Sequence, residues 1–119
     1  MVPTDLVLVL AIPMVIIHAA TSLISLRYIT VPRFIGLPIA VYESVYYVIL
    51  LTYLLLNHYG IVLLVMTTLF LLIHVGGVYL YVNGTLTYLS HKRNGLRYYG
   101  YYEIAELIFI VITMSMLIY

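Results

Sequence analysis

The stretch from Ile61 to Val82, IVLLVMTTLFLLIHVGGVYLYV, limits what this chain can fold into more than any other part of it. It carries no formal charge and a single histidine, His74. A helix rises ~1.5 Å per residue, so a segment of this length covers the ~30 Å of hydrocarbon in a bilayer. A polar ring inside that hydrocarbon is costly, and a residue of this kind is by default a functional one.

The rest of the chain has the same character. Of 119 residues, 66% are hydrophobic and 8% charged, against about 25% charged in a soluble domain. So short a chain cannot hide that much apolar surface in its own core. Lipid has to cover the remainder, which implies a single transmembrane domain over residues 1–119. A net charge of +1 argues against a nucleic-acid partner. The absence of cysteine excludes disulfides, thiolate metal sites and thiol catalysis. There is also no glutamine and there are only three asparagines, a scarcity of thermolabile residues that suggests a thermophilic source.

Four apolar runs are long enough to span: about 6–26, 35–56, 61–82 and 101–119. The first has no basic region before it and no small-residue cleavage site, so it reads as a span and not as a signal peptide. Pro13 inside it is expected to kink the helix or free a carbonyl. Pro38 falls near the first turn of the second run, where proline is tolerated. Asn57-His58-Tyr59-Gly60 makes a short turn between the second and third runs. Residues 83–100 form the longest connection, with Asn94-Gly95 as a turn signal and Tyr98, Tyr99, Tyr101 and Tyr102 as an interfacial aromatic belt.

Continuously apolar runs of this length exclude a membrane β-barrel, whose strands are short and alternating. The expected fold is therefore all-α: an integral-membrane, up-down antiparallel bundle of four transmembrane helices. All five Lys and Arg residues fall in segments 27–34 and 83–100. The positive-inside rule puts both of these basic loops in the cytoplasm and both termini on the extracytoplasmic side. Asn83-Gly84-Thr85 matches a glycosylation sequon but lies in a cytoplasmic loop on this topology.

Depth along the spans brings polar residues together. His18 lies thirteen residues past Asp5 and His74 thirteen past Ile61, so both sit ~20 Å below the outer boundary. Glu43 is eight residues into a run of opposite direction, ~12 Å from the inner boundary and near the same level. Glu103 and Glu106 fall two and five residues into the last run, closer to the cytoplasm. Helical spacing gives each span one polar line: His18, Ser22 and Ser25; Glu43, Tyr46 and Tyr53; Thr67, His74 and Tyr81; Glu103, Glu106 and Thr113. These lines should face inward.

Three roles suit such a cluster. His18 and His74 on diagonal helices could be the cofactor-binding pair of a haem b, with Gly76 and Gly77 leaving room for the macrocycle. The wider cluster His18, Glu43, His74, Glu103 and Glu106 could hold a divalent metal or relay protons. Alternatively the groups are structural, with Glu103 and Glu106 paired to Arg27, Arg33 or Arg97. Nothing resembles a hydrolase elbow, a phosphate loop or a His-Glu-x-x-His motif, so a stand-alone enzyme is not expected and no catalytic residue is assigned. His58 and His91 fall in connections, outside the cluster. Tyr46, Tyr47, Tyr79 and Tyr81 cannot all face a four-helix interior, which favours further subunits or a homo-oligomer as partners alongside membrane lipid. The expected function is an accessory or anchor subunit of a respiratory or electron-transfer complex, with the haem between His18 and His74. The alternative is a small cation- or proton-handling membrane protein.

Overall fold

The computed structural model describes residues 3–27, 33–84 and 93–118. Among these the fold is entirely helical: α1 (Thr4–Leu26), α2 (Arg33–Leu56), α3 (Ile61–Val82) and α4 (Arg93–Ile118). Each is long and apolar enough to cross a membrane. The molecule measures 41 × 25 × 23 Å, and the long dimension matches a bilayer with its headgroup layers, ~40–45 Å. A helix satisfies its backbone within one segment, which is the condition for standing in lipid.

Local chemistry explains the helix ends. Asp5 sits in the first turn of α1, where its charge complements the helix dipole. Pro13 stays inside α1, and the Tyr42 hydroxyl of α2 donates to the nearby Leu10 carbonyl at 2.6 Å. Between α2 and α3, His58 adopts a left-handed backbone with φ 56°, and the Asn57 side chain donates to the Tyr53 carbonyl at 2.8 Å. After α3, Gly84 takes φ 84°, a conformation glycine reaches without strain, and its N–H bonds the Tyr81 carbonyl.

The last helix departs from expectation. It begins at Arg93, about two turns before residue 101. Asn94-Gly95 therefore lies inside a helix and is no turn, and the four tyrosines ride on its early turns. Leu96 and Gly100 are buried, and Leu26 of α1 lies so close to Gly100 that a Cβ there would stand 2.8 Å from its Cγ. Packing against α1 carries the helix through weak local formers. His91 and Lys92 lie outside the described residues.

α1 packs along α4, and α2 along α3, with sparser contact between α1 and α2. The centre holds Met14, Tyr46, Tyr47, Leu50, Leu54 and Ile110, all fully buried. Ile12, Ile16, Leu23, Val62 and Leu72 form an exposed apolar surface suited to lipid. The inward polar lines are present: His18, Ser22, Ser25, Glu43, Thr67, His74, Glu103, Glu106 and Thr113 are all buried. Of the four tyrosines that cannot all face inward, Tyr46 and Tyr47 are buried and Tyr79 is exposed.

Candidate metal centre

All five polar residues of the cluster meet, and each helix contributes. His18 of α1 is fully buried. Its Nδ1 bonds the Glu103 carboxylate, and its Nε2 lies 2.7 Å from Glu106 Oε2 and 3.8 Å from Glu43 Oε1. His74 of α3 points its Nε2 at the same two carboxylates, 2.8 Å from Glu43 Oε2 and 3.1 Å from Glu106 Oε1. The other ring nitrogen of His74, Nδ1, lies 2.7 Å from the Phe70 carbonyl. A carbonyl only accepts, so Nδ1 carries a proton, and Nε2 is the nitrogen that faces the carboxylates.

That arrangement demands positive charge at its middle. Three carboxylates surround two imidazoles in a setting where an uncompensated ion is very costly. Protons or a cation must supply the charge. His18 Nε2 and Glu106 Oε2 approach within 2.7 Å, yet neither has a hydrogen-bond partner among the described residues. Tetrahedral coordination with ligands at ~2.1 Å requires ligand–ligand edges of ~3.4 Å. Three of the four histidine–carboxylate distances, 2.7, 2.8 and 3.1 Å, are shorter than that edge and one, 3.8 Å, is longer, so an ion at the centre would spread the ligands by a few tenths of an ångström. Two overlapping sets, His18–Glu43–His74 and His18–Glu103–Glu106, each bring ligand atoms within 4.8 Å of one another.

An outer layer holds the inner groups in place. Glu103 orients His18 through Nδ1, and Thr21 Oγ1 lies 2.9 Å from the same Glu103 oxygen. Phe70 orients His74 through its carbonyl. The Tyr102 hydroxyl donates to Glu106 at 3.2 Å. The Tyr47 ring packs 5.0 Å from that of His74 and 5.8 Å from that of Phe70. Carboxylate and carbonyl partners on the far nitrogen of a histidine are a regular feature of metal sites, where they fix the tautomer and raise ligand basicity.

The five residues that depth arithmetic gathers do meet, but two of them lie deeper in their helix than it puts them. Because α4 starts early, Glu103 and Glu106 lie ten and thirteen residues inside it, level with the histidines they touch. Among the described residues their ion pairs are to histidine and not to arginine. Arg97 lies instead over the Tyr101 ring, 6.0 Å from its centroid. The haem arrangement does not fit. The imidazole centroids are 6.2 Å apart, but Glu43 and Glu106 occupy the gap that a macrocycle would need. A side chain added at Gly76 or Gly77 would meet nothing within 4 Å, so those glycines do not wall a pocket. Of the outer partners, Thr21 is not singled out by the sequence, Tyr102 is expected in an interfacial belt but bonds Glu106, and Tyr47 is expected only among tyrosines that cannot all face inward. Each lies three or four residues from a cluster member, one helical turn away, and that spacing was the available signal. Comparison with protein-family models, with curated proteins and with solved structures finds no match to this chain.

Proposed function

We propose that this small membrane protein is a cation-handling one: it takes one divalent first-row transition-metal ion into the middle of its bundle, with His18, Glu43, His74 and Glu106 as ligands. The observation that carries this is the convergence of two buried imidazole Nε2 atoms on the same two buried carboxylates. Two nitrogens and two carboxylate groups suit zinc, manganese or iron; calcium and magnesium prefer oxygen alone. A doubly charged ion also offsets most of the negative charge that Glu43, Glu103 and Glu106 bring into hydrocarbon.

Elemental analysis of the purified, detergent-solubilised protein tests the assignment. About one transition-metal ion per chain is expected, with loss of that metal in both His18→Ala and His74→Ala. Equal metal content in the wild type and both variants would sink it. A visible spectrum on the same sample covers the haem alternative, and no Soret band is expected.

A further inference from the structure

Resting on the metal centre above, we propose that Tyr46, Tyr47, Thr67 and Thr113 line an internal chamber that holds water, and that this chamber is the cation's way in from the face bearing the α2–α3 turn. The starting point is a contrast between hydroxyls on one pair of adjacent residues. Thr68 faces outward and folds its hydroxyl back onto the Leu64 carbonyl at 2.8 Å. Thr52 and Ser115 do the same with Val48 and Val111, at 2.8 and 2.9 Å. This is how a hydroxyl satisfies itself against lipid. Thr67 and Thr113 are fully buried, and their hydroxyls have no partner among the described residues. The buried hydroxyls of Tyr46 and Tyr47 have none either.

These four groups belong to one region. His74 meets Glu106, and Phe70 meets Phe109 with ring centroids 4.8 Å apart. Continuing that register brings Thr67 of α3 level with Thr113 of α4. Each lies seven residues from its cluster member, ~10 Å along the axis. Tyr46 and Tyr47 of α2 lie between, three and four residues past Glu43, ~5 Å along. Farther out, Thr4 and Tyr53 join hydroxyls at 2.8 Å, ten residues past Glu43 on α2. Polar groups therefore recur from the centre to the end of the bundle near the α2–α3 turn. Leu50, Phe70, Met14 and Ile110 supply the apolar walls.

Buried water settles where several polar groups converge without partners, and it is retained there. A column of such water lets an ion shed its hydration shell in stages, exchanging water for hydroxyls before it reaches imidazole and carboxylate. The side chains of this column carry no charge, so they delay the ion without trapping it.

Two measurements test the chamber. In metal-free protein in lipid bilayers, water-edited solid-state NMR should show magnetisation transfer from water to Thr67 and Thr113 but not to lipid-facing Thr68. No transfer to Thr67 and Thr113 overturns the proposal whatever the metal chemistry. In stopped-flow mixing with Co2+, T67V/T113V should slow the rise of the cobalt absorption at least tenfold. Thr67→Ser in place of Thr67→Val should restore much of the rate, and Thr52→Val should leave it unchanged. An unaltered rate in T67V/T113V also overturns the proposal. A wild type that takes up no Co2+ refutes the metal centre itself, and the NMR result then stands alone for the chamber.

Discussion

Glu103 is the residue whose role the geometry separates most clearly from that of its neighbours. It bonds His18 through Nδ1, while the Nε2 that would meet an ion faces Glu106 and Glu43. It is therefore a positioning group for His18. Glu103→Gln should keep about one metal per chain at saturation but weaken the affinity by roughly 10–100-fold, with a shifted Co2+ spectrum. An unchanged affinity and spectrum would mean that Glu103 serves packing alone. Glu106 is different, because its two oxygens reach both histidines. Glu106→Gln should abolish high-affinity binding and destabilise the bundle by ~3–5 kcal/mol, the cost of breaking a buried ionic set. Metal titration and thermal unfolding in detergent read these two effects separately.

Between helices, α1 and α4 come close together at Gly100. A Cβ there would stand 2.8 Å from Leu26 Cγ and 3.3 Å from the Leu26 backbone nitrogen. Gly100→Ala should push α1 from α4 and lower stability by ~1–3 kcal/mol. At Gly36 an added Cβ would meet the tip of the Tyr81 ring, which can swing aside, so Gly36→Ala should cost less. Equal melting temperatures for the two variants would contradict this ranking. The same α1–α4 contact explains where sequence reasoning succeeded and where it failed. Hydropathy runs set the existence of all four helices and seven of their eight ends to within two residues, because lipid imposes length and polarity directly. The start of α4 was not legible. Asn94-Gly95 and a basic run indicate a loop locally, and only burial of Leu96 and Gly100 against α1 overrides them. For the centre, depth along an axis was readable from residue counts, and it gathered the five polar residues. Which groups fill the space between the imidazoles depends on the rotation of each helix about its axis. That is why a haem gap was a reasonable expectation and a carboxylate-filled one is the finding.

For the whole molecule, the even number of spans and the clustering of all five Lys and Arg in two connections support both termini on the extracytoplasmic side. Single cysteines placed at residues 2 and 119 of this cysteine-free chain should react with an impermeant thiol reagent added outside intact cells. Protection of either one would reject that topology. The packing also has a larger-scale consequence. α1 with α4 and α2 with α3 form two closely packed pairs that touch each other more sparingly, and the contacts His18–Glu43 and His74–Glu106 cross between them. The polar centre is thus a clasp between two rods. Fastened, it makes them move as one body; unfastened, it leaves them slack to slide or rock against each other, as helix pairs in switching proteins do. Whatever occupies that clasp therefore bears on how the two rods move, and it lies ~20 Å from one end of α1 and α3 and ~12 Å from the other, so both ends can feel it through the rods themselves.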